Sequence, residues 1–305
     1  MKHVFVLNPT AGKKDSTGEI LEKLEALRDK ADIETHITRS TGDAPGFVRE
    51  WCENNMGTPV RFYACGGDGT ANEVARELIY RENASFTIYP CGSGNDFIKY
   101  YGFRNREAFL DLERLIAGTE VVIDAIDVGG HVAINVVDIG FDSSVVKTMR
   151  RIKRFPLIGG KTGYIVGIVH SLFHALRTKC SMEMDGETMI ETECLMATIA
   201  NGNVVGGGFR CAPKSVNNDG LLDVCAVRPL HIGEIAKFIK PYSDGTYMDV
   251  PRFSDYYRYK RGKELHVNAN GDFWVVVDGE LINMNDFNVR ILPGALRFSV
   301  PSGLL

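Results

Sequence analysis

Three glycines surround Asp68 in the run Cys65-Gly66-Gly67-Asp68-Gly69-Thr70, which follows the apolar residues 60–64 and precedes a helical-looking stretch, 72–81. Glycines between a strand and a helix add nothing to a core and lose the most conformational entropy on ordering. Their use is to let backbone N–H groups come close to an anion, where a helix N-terminus adds positive potential. The carboxylate of Asp68 then stands where a cation is wanted beside phosphates. The same residues also read as a tight strand–helix turn with an incidental aspartate, since short glycine motifs recur by chance.

A second glycine loop, Pro90-Cys91-Gly92-Ser93-Gly94-Asn95-Asp96-Phe97, follows another strand-like run. Phe97 occupies the third glycine position of a dinucleotide fingerprint and excludes that motif. Ser93 and Asp96 offer a hydroxyl and a carboxylate, as a metal–phosphate site requires. A turn capped by Asn95 or Asp96 accounts for the loop equally. Asn8-Pro9-Thr10-Ala11-Gly12-Lys13-Lys14 places hydroxyl and cationic groups after the first strand, although a lysine pair is ordinarily a solvated face. Gly160-Lys161-Thr162 imitates the end of a Walker A loop, but Phe155 stands at its required earlier glycine. His170 and His174 have helical spacing without a following Glu or a third ligand, so they read as a helix face. Asp219-Gly220 and Asp278-Gly279-Glu280 read from the residues alone as turns, the latter closing a hairpin after the apolar residues 273–277. Gly202 to Gly208 reads as close backbone packing or a cleft wall.

The elements that must position these groups change character along the chain. The first ~125 residues alternate strand and helix patterns, which predicts a mostly parallel sheet covered by helices. Strands are predicted over 4–7, 33–37, 60–64 and 86–89, and Ser16 with Glu19 predicts a capping box before the apolar stripe Ile20, Leu24, Leu27. Ligands in such sheets bind at the carboxyl ends of strands. There the residues at 8–12, 38–42, 66–70 and 92–96 form four polar, glycine-bearing loops on one edge. Beyond about residue 128 the pattern becomes β-rich, with strands predicted over 132–137, 194–200, 222–227, 265–269, 273–277 and 289–292 and helices over 162–177 and 232–240. The domains expected are therefore 1–128 (α/β) and 129–292 (β-rich), with 293–305 packing back on the first.

Composition sets the class. A chain of 305 residues, 44% hydrophobic and 24% charged, is an ordinary globular protein, and a net charge of −4 gives nucleic acid no support as a partner. Seven cysteines without a C-x-x-C pair argue against a zinc site and a disulfide framework, so a reducing cytoplasm is expected. The apolar start is too short for a secretory signal, and residues 157–176 carry Lys161, His170, His174 and several glycines and so cannot form a transmembrane helix.

The segments N-P-T-A-G-K, G-G-D-G-T-A-N-E-V, P-C-G-S-G-N-D-F, N-G-N-V-V-G-G-G-F-R, N-D-G-L-L-D-V and V-D-G-E, in this order and spacing, resemble the diacylglycerol kinase catalytic-domain family. The resemblance is to soluble bacterial lipid kinases related to sphingosine kinases, and it covers nearly the whole chain. It implies an N-terminal α/β domain similar to NAD kinase and 6-phosphofructokinase, a C-terminal β-sandwich, and a nucleotide in the cleft between them. By motif position, ATP would meet Asn8, Thr10, Thr38, Gly67, Asp68, Gly69, Thr70, Ala71, Asn72, Glu73 and Ser93, where the family usually has threonine at the last. The family's Mg²⁺ network maps onto Asp68, Asp96 and Asp124, the last eleven residues before Asn135, with Asp127 a near alternative. A structural Mg²⁺ maps onto Asp219 and the carbonyls of Val216 and Leu221. The resemblance makes Glu280 the proton acceptor, with Asp278 beside it and Asp68 across from it in the catalytic set.

The activity so implied is ATP-dependent phosphorylation of diacylglycerol to phosphatidic acid. Alternatives are a kinase for a sphingoid base, another lipid alcohol or NAD, or a nucleotide-binding regulator without catalysis. The expected partners are a lipid substrate at a membrane surface, through transient peripheral contact from the cytoplasm, and a second copy in a homodimer. Residues 150–158, basic then apolar, are the candidate docking segment, with Lys13, Lys14, Lys99, Arg104 and Arg106 adding charge. A solvated helix end followed by a core loop explains that segment as well.

Overall fold

The computed structural model describes residues 1–141, 143, 144, 146, 147 and 176–305. The helix expected over 162–177 (apart from Leu176 and Arg177), the docking segment 150–158, the Gly160-Lys161-Thr162 triplet and the His170/His174 pair lie outside the described residues. The chain divides into two units, Met1–Ala125 with Pro293–Leu305, and Ile126–Leu292.

The first unit is built from β1 (Lys2–Leu7), α1 (Thr17–Glu25), β2 (Asp32–Ile37), α2 (Asp43–Asn54), β3 (Val60–Gly66), α3 (Asp68–Ala75), β4 (Ala84–Pro90), α4 (Arg106–Phe109), α5 (Leu112–Ile116) and the start of β5 (Thr119–Val128). Its strands run parallel in the order β4-β3-β1-β2. Every residue of β3 and β4 is buried, Arg61, Ser85 and Thr87 included, as expected of a parallel sheet covered on both faces. Edge strand β2 is only half-buried. The register places Leu7 beside Cys65 and Ile37, and Gly66 beside Pro90, so the loops after β1, β2, β3 and β4 leave from one edge.

Three local expectations are corrected. Ser16 precedes α1 but makes no side-chain cap, because Glu19 pairs with Lys14 at 2.6 Å, and the Thr17 N–H donates to Asp15 instead. Leu27 is buried in the turn after α1 rather than in the helix. Helix α3 begins at Asp68 itself, which brings the acid into its first turn, and it gives way to a 3₁₀ turn at Arg76–Leu78.

His3 on β1 is buried with its Nδ1 2.7 Å from the Tyr63 hydroxyl. Burial, reinforced by the nearby Arg61 guanidinium, pushes its pKa from 6.5 down to about 4. The unfolded chain therefore binds a proton that the folded chain refuses, and stability falls as pH drops from 6.5 towards about 4. The expected loss is about 1.4 kcal/mol per pH unit, reaching about 3 kcal/mol. Urea unfolding of wild type and His3→Gln across that window checks it: the variant is expected to show the shallower dependence, and parallel curves would refute the assignment.

The second unit contains the end of β5, β6 (His131–Ala133), β7 (Val136–Gly140), β8 (Thr178–Met184), β9 (Glu187–Ile190), β10 (Glu193–Cys194), β11 (Met196–Ala200), β12 (Leu222–Val227), α6 (Ile232–Asp244), β13 (Tyr257–Gly262), β14 (Glu264–Ala269), β15 (Trp274–Val277), β16 (Glu280–Asn283) and most of β17 (Asp286–Val300). One antiparallel sheet runs β13-β12-β11-β7-β15-β16, while β10, β8, β14 and β17 pair in a second. The core holds alternate residues of both sheets, among them Val137, Ile139, Ile199 and Val224 from the first and Met182, Met184, Leu265 and Val289 from the second. This is a β-sandwich. Phe238 and Tyr242 of α6 join Tyr247 and Phe253 in a separate cluster with Cys225 and Val227 of β12. Gly202 packs backbone to side chain, since a Cβ there would lie 1.9 Å from Asn135 Oδ1.

The last residues of β17 return to the first unit. Phe298 pairs with Phe86 of β4 in parallel register, and its ring lies 5.0–5.2 Å from those of Phe86, Phe97 and Tyr101. Thr87 Oγ1 donates to the Ser299 carbonyl at 2.7 Å. The ring cluster fixes Phe97, the residue directly after Asp96.

Candidate functional site

In the first unit, the loops after β1, β3 and β4 approach closely enough that side chains would not fit. A Cβ on Gly12 would lie 2.2 Å from the Cys91 carbonyl oxygen, and one on Gly92 would lie 2.5 Å from Gly67 Cα. The N–H groups of Cys91 and Gly92 both donate to the Gly66 carbonyl, at 2.9 and 3.1 Å. Asn8 ties the first loop to the third strand's helix: its N–H donates to Cys65, its Nδ2 donates to Thr70 Oγ1 at 2.9 Å, and its Oδ1 accepts from Thr10 N and Oγ1.

Asp68 and Asp96 come together around Gly94. Asp68 Oδ1 accepts the N–H groups of Asp96 and Phe97, at 2.7 and 3.3 Å. A Cβ on Gly94 would lie 2.9 Å from Asp68 Oδ2 and 3.8 Å from Asp96 Oδ2. Two carboxylate oxygens thus flank a space that only the absence of a side chain keeps open. Asp96 also holds Lys99 Nζ at 2.5 Å, a pairing that the i, i+3 spacing announces and that motif reading passed over. Lys99 thereby belongs to this acid rather than to a free basic rim.

The remaining predicted residues divide by burial. Thr38 is buried, with its Oγ1 donating to the Leu7 carbonyl at 3.2 Å, and Ala71 and Asn72 are buried on α3. Glu73 Oε1 accepts from Gly42 N at 3.4 Å. Ser93 is exposed and lines a cavity of 660 Å³ together with Gly12, Lys13, Lys23 and Arg106. Asp124 is buried in the same unit and accepts the Gly294 N–H at 2.7 Å, whereas Asp127 lies in the second unit and caps its hairpin by accepting from Gly130 N. Asp124 thus shares a unit with Asp68 and Asp96, but among the described residues no three His, Cys, Asp or Glu side chains are grouped closely enough to hold one metal ion.

In the second unit, Asp278 and Gly279 form the two-residue turn between β15 and β16, with Val277 opposite Glu280. Both turn residues have positive φ, 45° and 88°, as a type I′ hairpin requires. Asp278 is held there by its carboxylate, which accepts the N–H groups of Ile134, Asn135 and Val136 at 2.7, 3.1 and 3.0 Å. Its own N–H donates to Val136. Glu280, the first residue of β16, is exposed. Asp278 is thus a positioning group for a turn that presents Glu280.

Residues 2–128 match the family model described as the diacylglycerol kinase catalytic domain, and residues 135–300 match the YegS C-terminal NAD kinase beta sandwich-like domain. A protein of Escherichia fergusonii named "Probable lipid kinase YegS" is 30% identical over 98% of this chain and 95% of its own. The chain belongs to the diacylglycerol kinase and YegS family of lipid kinases. The "Diacylglycerol kinase" of Bacillus subtilis is 25% identical, with 92% of each chain covered. The crystal structure of a diacylglycerol kinase from Bacillus anthracis has the same fold, with a TM-score of 0.70 at 18% identity over 100% of this chain and 98% of that one.

Phosphoryl transfer from a nucleotide calls for a divalent cation at the phosphates, and Mg²⁺ takes hard oxygen donors while keeping several waters. The open space at Gly94, flanked by Asp68 Oδ2 and Asp96 Oδ2, fits that requirement. At the second mapped position, Asp219 accepts from Leu221 N at 3.2 Å and pairs with Arg261, whose Nε is also 3.3 Å from Asp223. Tyr259 donates to Asp223 Oδ1, while Asp223 Oδ2 is buried with no hydrogen-bond partner. Burial pushes the Asp223 carboxyl above the usual range. An orphaned carboxylate oxygen beside Asp219 fits a small hard cation, which would share with Arg261 the compensation of both acids.

Proposed function

We propose that this protein transfers the γ-phosphoryl group of ATP to the hydroxyl of diacylglycerol, giving phosphatidic acid. The observation that carries the reading is the acid-flanked space at Gly94, set among glycine loops at the carboxyl edge of a parallel sheet. The names of the Escherichia and Bacillus relatives support a lipid as acceptor. Asn8, Thr10, residues 67–73 and Ser93 hold the phosphates and ribose through hydroxyl and backbone N–H groups, and Thr38 shapes the loop beside them. Asp68 and Asp96 would hold Mg²⁺, which would neutralise phosphate charge. Glu280 orients the lipid hydroxyl and takes its proton as the new O–P bond forms. The gain in rate is then mainly positioning and charge complementarity.

Among the described residues no helix is long and apolar enough to cross a membrane. Access to the lipid is through transient contact with the bilayer surface from the cytoplasm, to which Lys13, Lys23 and Arg106 around the cavity add positive charge. A homodimer is part of the same reading.

Labelled ATP offered with vesicles containing diacylglycerol, with a sphingoid base, with monoacyl alcohols and with NAD tests the acceptor. Label is expected on diacylglycerol as phosphatidic acid. Label on NAD or a sphingoid base alone would overturn the acceptor, and nucleotide binding without transfer would overturn the kinase.

A further inference from the structure

All seven cysteines are free thiols, yet two are set apart by geometry: Cys180 Sγ and Cys194 Sγ lie 3.8 Å apart. Cys180 is on β8 and Cys194 on β10, antiparallel strands in which Cys194 faces Thr178 and the Cys180 N–H donates to the Thr192 carbonyl. The two are therefore diagonal neighbours on one face of the sheet. Both side chains enter the sandwich core, at 4% and 0% exposure. A disulfide of about 2.05 Å would require each sulfur to move about 0.9 Å, within reach of a χ1 adjustment.

The pair is also chemically asymmetric. The hydrogen bond from Cys194 holds the Cys180 thiol below its usual pKa against the effect of burial, while the same bond and burial push Cys194 up. Elsewhere burial raises the thiols: Cys65 well above its usual value, Cys225 to about 12 and Cys91 to about 11. Burial raises Cys52 as well, and because reaction with an oxidant requires the thiolate, Cys180 is favoured to ionise over these four thiols.

We propose that Cys180 and Cys194 are an oxidation site that closes to a reversible disulfide with an oxidant of the peroxide class. The Cys180 thiolate attacks one peroxide oxygen; the O–O bond breaks, leaving a sulfenic acid on Cys180 and a hydroxide that takes a proton to become water. The Cys194 sulfur then attacks the Cys180 sulfur; the S–O bond breaks, and the hydroxyl leaves with the Cys194 proton as a second water. Two thiols lose two electrons and two protons, and one peroxide becomes two waters. The bridge ties the start of β8 to β10 across the β9 hairpin, restricting the unfolded chain over that loop.

The full chain is treated with hydrogen peroxide, blocked with iodoacetamide in denaturant, and mapped by mass spectrometry without reduction. A peptide linked through Cys180 and Cys194 is expected, with two of the seven thiols lost and a melting temperature higher by several degrees that a thiol reductant reverses. In Cys194→Ala, dimedone is expected to label Cys180. Seven alkylated thiols after oxidation, or a linkage or sulfinic acid at other cysteines, would overturn the site. The wild-type peptide map decides the question even if either alanine variant fails to fold.

Discussion

Glu280→Gln is expected to lower kcat for phosphoryl transfer by about 10²–10⁴-fold, with the KM for ATP within about threefold of wild type. The substitution keeps the size of the side chain and a carbonyl oxygen that can still accept from the lipid hydroxyl. It removes the capacity to carry the proton away. A lipid hydroxyl is a weak nucleophile, so the lost basicity appears in the transition state, as about 3–5 kcal/mol of barrier. Stability is expected to be unchanged, because Glu280 is exposed and begins β16 beyond the turn, whereas the turn itself is secured by the three N–H bonds to Asp278. Steady-state kinetics on diacylglycerol vesicles, with thermal melting alongside, check both halves. Activity within about tenfold of wild type would remove Glu280 from the role of base. The contrasting case is Asp278→Asn, which keeps one acceptor oxygen but sets an NH₂ against backbone donors. Its loss of activity is expected to come with a lower melting temperature, the signature of a positioning group.

The sequence carries the first unit's site legibly because each of its parts is local. A strand end, two or three glycines and an acid within six residues suffice to mark the loops at Asp68 and Asp96, and the parallel sheet does the rest by bringing the strand ends to one edge. What brings the two acids together is less visible. It depends on Phe97, whose ring is fixed by Phe298 some two hundred residues later, and on glycines whose missing Cβ atoms matter only in three dimensions. Strand β8 escaped notice for a different reason. Thr178–Met184 alternates correctly, with Cys180, Met182 and Met184 inward, but those side chains are weaker strand signals than the branched and aromatic residues that mark β12 or β15. The capping box at Ser16 failed because Lys14, two residues upstream, offers Glu19 a full positive charge in place of a backbone N–H. The role of Asp278 had no local signal at all: its partners are Ile134, Asn135 and Val136, more than 140 residues away. From the residues alone, the carboxylate and the glycine beside it announce only a turn.

Gly94→Ala is expected to reduce kcat/KM for ATP by about 100-fold or more while leaving the fold intact, because it tests the acid-flanked space without touching either acid. Gly94 does not have the positive φ that would forbid a side chain, so alanine meets no backbone strain there. Its obstacle is the 2.9 Å separation from Asp68 Oδ2. Asp68 cannot simply turn away, since its Oδ1 is committed to the N–H groups of Asp96 and Phe97, and releasing either buried donor costs about 1–3 kcal/mol. The methyl group therefore either displaces Asp68 together with the N–H groups it holds or occupies the space between Asp68 and Asp96 where phosphate and cation would have to lie. Both outcomes spoil alignment for in-line transfer, and misplacement of about 1 Å is enough for a loss of that size. Gly46→Ala in α2 is the matched control, because a Cβ there has no atom within 4 Å. It is expected to keep full activity and to melt at the same temperature or slightly higher, alanine being the better helix former by up to about 1 kcal/mol. If the two variants were equally active, the space at Gly94 would be empty of function, and the phosphates would have to be held elsewhere.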